Sequence, residues 1–126
     1  MFLDTFAWIE YFEGTAKGAK VRQRLDASDV VYTSPMVLAE LTSKYTRTSG
    51  KDDAQRRVAF VLDHCVMVDH TAELGATAGA LHAELKGEIA GIGMADCFVL
   101  AAARSKGARV LTGDPHFKGV PDADVL

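Results

Sequence analysis

The sequence is poor in cysteine. Its two cysteines, Cys65 and Cys97, stand far apart and form no CxxC pair. This argues against a zinc ribbon, which needs paired cysteines, and against a small secreted fold held together by disulfides. We therefore expect both side chains to be buried free thiols.

The sequence also lacks a long apolar run and a leader-like start. Its longest apolar run, from Cys97 to Ala103, is far shorter than the roughly 20 residues that a helix needs to cross a bilayer. The chain opens Met1-Phe2-Leu3-Asp4, without the basic region or cleavage site of a signal peptide. We expect a soluble, cytoplasmic protein with no membrane partner.

Excess positive charge is missing as well. The 14 lysines and arginines are outnumbered by 17 acidic residues, which leaves a formal net charge of -3. Such a chain has no general attraction for polyanions. Any binding of nucleic acid must therefore be local or depend on metal ions.

The chain has enough hydrophobic residues to form one core. Its 126 residues are 48% hydrophobic, without a repeat, linker or low-complexity segment, so we expect a single domain over residues 1–126. Apolar or β-branched segments alternate with segments of helical spacing. Strands are predicted at residues 1–4, 30–33, 66–69, 108–112 and 123–126, and helices at 5–12, 16–27, 34–48, from 52 onward, at 71–89 and at 94–106. This alternation predicts a three-layer α/β/α fold around a parallel sheet.

Four acidic residues fall where such a sheet binds ligands, beyond the carboxyl ends of its strands. Asp4 directly follows the first strand, and Asp114 comes two residues after the fourth. Asp96 lies in the first turn of an apolar helix, and Glu40 lies about two turns into the helix that Ser34-Pro35 opens. Each residue taken singly has a structural explanation. Asp4 can cap the first helix, Asp96 is favoured in a first helical turn, Asp114 is a turn residue before proline, and Glu40 can be solvated surface. Together, four carboxylates would repel one another unless a hard cation such as Mg²⁺ or Mn²⁺ neutralised them.

Spacing alone leaves that convergence open, but four segments carry a resemblance. In order along the chain they are FLDT with WIEYF (residues 2–5 and 8–12), residues 34–41 around Glu40, GMAD (93–96) and TGDPHF (112–117). They resemble PIN domains of VapC-type toxins, over the whole length of the chain. The chain departs from the commoner opening in having Phe6 where many relatives carry a small polar residue, which leaves Thr5 as the nearby hydroxyl.

The resemblance implies a five-stranded parallel sheet in the order 3-2-1-4-5. It also implies a Mg²⁺- or Mn²⁺-dependent endoribonuclease that acts on RNA, with Asp4, Glu40 and Asp96 as a central triad. Asp114 would be a fourth metal ligand, and Thr112 would lend its hydroxyl. A tight-binding VapB-type antitoxin and a homodimer are further traits that the resemblance implies.

Histidine is not needed as a base in this scheme, and we assign His64, His70 and His82 to structure. The spacing of His64, Cys65 and His70 fits no standard zinc site. His116 lies two residues beyond Asp114, where reaching the pocket rim or a phosphate and capping a helix are equally good accounts, so we leave it outside the core set. Five basic residues form a cluster that is mostly solvated surface but offers a guide for the RNA backbone: Lys44, Arg47, Lys51, Arg56 and Arg57.

Three other classes remain as alternatives. A phosphoacceptor receiver domain has a similar size, but it needs paired early acids and a late lysine, whereas Asp4 stands alone. A haloacid-dehalogenase-type phosphatase would need an aspartate where this chain has Phe6. A catalytically silent PIN fold that binds RNA or another protein stays open, because a fold does not fix an activity.

Overall fold

The computed structural model describes all residues from 1 to 126. Its five strands are β1 (Phe2–Leu3), β2 (Tyr32–Thr33), β3 (Val66–Met67), β4 (Val110–Thr112) and β5 (Ala123–Val125). Its six helices are α1 (Thr5–Glu13), α2 (Ala16–Asp26), α3 (Pro35–Ser49), α4 (Lys51–His64), α5 (Ala72–Leu85) and α6 (Met94–Ser105). A short 3-10 helix spans Pro115–Phe117.

The strands form one parallel sheet in the order β3-β2-β1-β4-β5, as the resemblance implied. Both residues of β1, Phe2 and Leu3, are fully buried. Successive strand residues point to opposite faces of a sheet, so helices must cover both faces here. The structure therefore confirms the three-layer α/β/α class.

The helices pack in consecutive pairs, α1 with α2, α3 with α4 and α5 with α6. The first pair meets at Gly18, where a Cβ atom would come within 2.1 Å of the Glu10 carbonyl oxygen. Only glycine permits this approach, because the contact is with backbone that cannot turn aside. Nearby, the aromatic side chains of Trp8, Tyr11 and Phe12 pack together in the core of the molecule.

One predicted helix boundary is wrong, namely the end of α5. We predicted this helix to run to Ile89, but it ends at Leu85. The chain then turns through a segment that contains Gly87, a residue that destabilises a helix interior. Ile89 still packs against the core, so its apolar spacing reflects burial in a turn rather than in a helix.

Both cysteines are free, with Cys97 buried and Cys65 partly buried, and desolvation raises the pKa of the Cys65 thiol to about 12. No helix combines the length and apolar character that a bilayer-spanning helix requires.

Candidate functional site

The site lies at the carboxyl ends of the two central strands. Because β1 and β4 pair in parallel with Leu3 opposite Leu111, the residues that follow both strands emerge at one edge of the sheet. The Asp4 amide still donates to the Leu111 carbonyl at 3.2 Å. Asp4 and Thr112 are thereby held side by side.

Asp4 is only 5% exposed, and each of its carboxylate oxygens has a partner. Oδ1 accepts a hydrogen bond from the Ala7 amide at 2.9 Å and so caps α1. Oδ2 accepts a hydrogen bond from the Thr112 hydroxyl. The same hydroxyl oxygen accepts from the Asp114 amide at 2.9 Å. Thr112 therefore fixes the positions of two acids at once.

In both Asp96 and Asp114, one carboxylate oxygen accepts a hydrogen bond from a nearby backbone amide. Asp96 Oδ2 accepts from the Gly93 amide at 2.8 Å, at the start of α6. Asp114 Oδ1 accepts from the His116 amide at 2.9 Å and lies 3.0 Å from His116 Nδ1. Asp96 Oδ1 and Asp114 Oδ2 accept no hydrogen bond from the protein. One potential ligand atom each from Asp96, Asp114 and His116 lies within 4.8 Å of the others.

Burial dominates the electrostatics of the cluster. Desolvation raises the pKa of Asp4 to about 7, against the hydrogen bonds from Thr112 and the Ala7 amide, and the charges of Asp114 and Asp96 add to the rise. Desolvation also raises the pKa of Asp96, and Asp114 reinforces the shift, whereas the Gly93 amide and His116 oppose it. The three aspartates thus repel one another in a pocket where water cannot fully solvate their charges.

Glu40 stands apart from these three acids. It is exposed, and its Oε1 accepts a hydrogen bond from the Thr5 hydroxyl at 2.8 Å. Thr5 directly follows Asp4, so Glu40 borders the cluster through one residue. The group of ligand atoms within 4.8 Å of one another contains neither Glu40 nor Asp4, but Asp4 is joined to Asp114 through Thr112, whereas Glu40 is not. The structure brings together Asp4, Thr112, Asp96 and Asp114. Glu40 lies next to them in the solvent-exposed part of the site, which we call the open side.

His116 is the residue whose position sequence reasoning left undecided. Its ring is 44% exposed at the pocket rim, paired with Asp114. Gly91 makes room for it, because a Cβ atom at Gly91 would lie 2.9 Å from His116 Nε2. The only signal for His116 in the sequence was its separation of two residues from Asp114. By contrast, His64 stacks on Phe60 and His70 on Phe98, in keeping with structural roles.

The structure also divides the predicted basic cluster. Arg56 and Arg57 pair with Asp53, and the Arg57 guanidinium lies 4.2 Å from the centre of the Tyr45 ring. Lys44 and Arg47 instead lie beside Glu40, in a groove between α1 and α3.

The PIN-domain family model matches residues 1–123 of the sequence. The chain belongs to the PIN-domain family. PIN and VapC proteins are nucleases, and hence hydrolases. The match overrules the receiver-domain and phosphatase alternatives, neither of which shares this family. No functionally curated protein matches the sequence at a significant level.

Solved structures of VapC proteins share the fold of this PIN domain. A Mycobacterium tuberculosis VapC described as a sarcin-ricin loop cleaving toxin matches with a TM-score of 0.79 and 23% identity, over 98% of this chain and 97% of that one. DNA-bound VapBC from Salmonella typhimurium matches at 0.78 and 20%, over 99% and 95%. VapBC2 from Rickettsia felis, bound to a promoter DNA fragment, matches at 0.76 and 21%, over 99% and 96%. At these identities the likeness establishes the fold alone.

Proposed function

We propose that this PIN domain is a metal-dependent endoribonuclease that hydrolyses RNA phosphodiester bonds, and that it is the VapC-type toxin of a toxin–antitoxin pair. The observation that carries the proposal is the convergence of Asp4, Asp96 and Asp114 at the ends of β1 and β4, in a fold whose family consists of nucleases. Residues 1–126 would act as one catalytic domain in the cytoplasm.

The donor set suits Mg²⁺ or Mn²⁺. Carboxylate oxygens are the hard ligands that these ions prefer, and Asp96 and Asp114 each have an oxygen with no partner in the protein. Asp4 carries a carboxylate whose burial would be costly without a neighbouring cation. We propose that Asp4, Asp96 and Asp114 hold the ion, with Glu40 contributing from the open side.

When bound, a divalent cation supplies activation of water and stabilisation of negative charge on a phosphate. The protein's own residues hold the acidic side chains in position. Thr112 holds the Asp4 carboxylate and the Asp114 amide in fixed positions, and the Gly93 amide orients Asp96. Thr5 orients Glu40 at the mouth of the pocket, where an RNA strand would enter. Such preorganised groups need not rearrange when charge develops on the substrate.

The test is cleavage of a labelled RNA panel with Mg²⁺, Mn²⁺ or EDTA. Asp4→Asn and Asp96→Asn should each abolish cleavage while the proteins remain folded, and titration calorimetry should show weaker metal binding. Asp63→Asn is the matched control, because Asp63 is an exposed aspartate on α4, a helix that carries none of the site residues. Cleavage that survives both site substitutions would refute the assignment. Metal binding without any cleavage, across RNA substrates that include structured ribosomal RNA, would favour a silent binding module.

The partner in this proposal is a small VapB-type antitoxin that inserts a basic side chain among the carboxylates. Two considerations support it: the family resemblance, and the solved VapBC complexes that share the fold. Adding the antitoxin to the purified toxin should stop cleavage, and replacing its inserted lysine or arginine should restore cleavage. Full activity in the presence of every candidate antitoxin would count against this part.

We also propose that the protein is a homodimer, as the family resemblance implies. Light scattering of the purified protein over a range of concentrations measures its mass directly. A mass of one chain at every concentration would contradict the dimer.

A further inference from the structure

An exposed aromatic ring stands at the edge of the acidic site. Phe6 follows Asp4 by two residues on α1, and half of its surface is exposed. On one side, a Cβ atom at Gly113 would lie 3.6 Å from Phe6 Cβ, so the Phe6 side chain starts next to the loop that carries Asp114. A single exposed apolar residue is ordinary. Phe6 differs because it lies between the Asp114 loop and the Glu40 side of the site, where an exposed ring can contact a ligand.

Phe6 lines a groove of about 550 Å³ between α1 and α3. Thr5 and Glu40, which are hydrogen-bonded to each other, also line this groove. The groove therefore adjoins the open side of the site at Thr5 and Glu40. Further along the same groove lie Lys44 and Arg47.

These two cations are free to bind an anion. Neither forms an ion pair with a carboxylate, whereas Arg56 and Arg57 both pair with Asp53. Arg47 uses only Nε, which donates to the Ser43 carbonyl. At 1.5 Å of rise per residue, Lys44 and Arg47 lie about 6 Å and about 10 Å beyond Glu40 along α3. They form a short positive track that leads away from the acids.

We propose that this groove binds single-stranded RNA, with one base stacked on Phe6 and neighbouring phosphates on Lys44 and Arg47. The proposal deepens the proposed function and depends on it for the position of the scissile phosphate. An aromatic face beside a basic track is the arrangement that proteins use to hold unpaired strands. A duplex would keep its bases stacked on one another, away from Phe6. Phe6 thus selects single strands over duplexes.

Binding is measured by fluorescence anisotropy of labelled hexamers of adenylate or uridylate, with Mg²⁺ present. The parent protein carries Asp96→Asn, so that the RNA stays intact. The test variants are Phe6→Leu, which keeps an apolar side chain but removes the ring, Phe6→Tyr, which keeps the ring, and the pair Lys44→Gln with Arg47→Gln. The matched controls are Leu62→Ala, another exposed apolar residue, and Lys17→Gln with Lys20→Gln, two exposed cations on α2.

Phe6→Leu should weaken binding of the adenylate hexamer by about fivefold to about 150-fold, the range measured for losing one stacked base. It should leave the salt dependence unchanged, and Phe6→Tyr should restore affinity. The double glutamine variant should instead reduce the slope of log affinity against log salt by about 1.4, since each phosphate contact on a single strand contributes about 0.7. The control variants should bind like the parent.

Unchanged RNA binding in Phe6→Leu would overturn the stacking role, and so would a Phe6→Tyr variant as weak as Phe6→Leu. Loss of antitoxin binding by Phe6→Leu with RNA binding intact would identify a protein-docking surface and also refute the proposal. Cleavage assays distinguish failure of this proposal from failure of the proposed nuclease activity. If the protein cleaves RNA but Phe6→Leu changes nothing, only the RNA-binding groove is refuted. If the predicted changes in binding occur in a protein that cleaves no RNA, the groove is supported and only the nuclease activity is refuted.

Discussion

Removing the charge of Asp4 should make the metal-free protein more stable at neutral pH. Burial raises the pKa of Asp4 from 3.8 to about 7, so the folded state holds a proton that the unfolded chain releases. Stability from this group is complete below the unfolded pKa near 3.8 and is lost as the pH rises through about 7. At 1.36 kcal/mol for each pKa unit, a shift of about three units sets a ceiling of about 4 kcal/mol.

The expected gain from Asp4→Asn is smaller than that ceiling. The asparagine oxygen can still accept from the Ala7 amide, but its amide group cannot accept the hydrogen bond that Thr112 donates to the carboxylate. Losing that hydrogen bond costs about 1 to 2 kcal/mol. We therefore expect Asp4→Asn to be about 2 kcal/mol more stable than wild type at pH 8 in EDTA. Near pH 5, where folded Asp4 is mostly protonated, the two proteins should differ little.

Urea denaturation followed by the fluorescence of Trp8, the only tryptophan, measures both stabilities. Between pH 5 and pH 8 the wild type should lose about 2 to 3 kcal/mol more than the variant, which follows from applying linkage to the same shift. Asp63→Asn, which removes an exposed charge, should follow the wild type. Adding Mg²⁺ at pH 8 should stabilise the wild type more than Asp4→Asn. Identical pH dependence in wild type and Asp4→Asn would refute the reasoning, because Asp4 would then ionise as it does in water.

Three further substitutions test residues that stabilise the site and the sheet. Thr112→Val, which keeps the shape but leaves Asp4 and the Asp114 amide without their shared partner, should lower the free energy of unfolding by about 2 to 3 kcal/mol in urea and slow RNA cleavage at least about tenfold. Gly91→Ala, at a φ of 81° and against His116, should cost about 1 to 2 kcal/mol in thermal denaturation, and Gly75→Ala, at an open helical position, should cost nothing. Asp124 pairs with Arg109 and Arg24, which lower its pKa to about 2, so its contribution to stability is present above about pH 4 and lost as the pH falls through 2. Solvent screens these ion pairs, and Asp124→Asn should therefore cost only about 1 kcal/mol at pH 7 in urea titrations. The cost should be much smaller at pH 2, where the folded carboxylate is about half protonated.

The sheet and the pairing of Asp4 with residues 112–114 could be predicted because they follow from local rules. Strand ends lie at a common edge of a parallel sheet, and Asp4 and Asp114 follow strand ends directly. The strand order came from the resemblance and not from the strands, which are only two or three residues long. The end of α5 was misjudged because apolar spacing continues through Gly87 to Ile89, and burial in a turn produces the same spacing as burial on a helix.

The positions of Glu40 and His116 could not be predicted, because each depends on a contact between distant segments. Glu40 reaches the site only through the hydroxyl of Thr5, 35 residues earlier in the chain. His116 takes its place at the rim because Gly91 has no side chain there. Neither the helical position of Glu40 nor the turn at Gly91 carries a signal for these contacts in the sequence.

Each aspartate of the site combines a local structural role with its place in the acidic cluster. Asp4 caps α1, Asp96 bonds the first amide before α6, and Asp114 caps the 3-10 helix. In Asp96 and Asp114 that local role occupies one oxygen and leaves the other without a protein partner. In Asp4 the second oxygen is held by Thr112, which also anchors Asp114. Helix capping therefore sets the orientation of each carboxylate before any ligand arrives, so a substitution that removes a cap should disturb the site even where it leaves the fold intact.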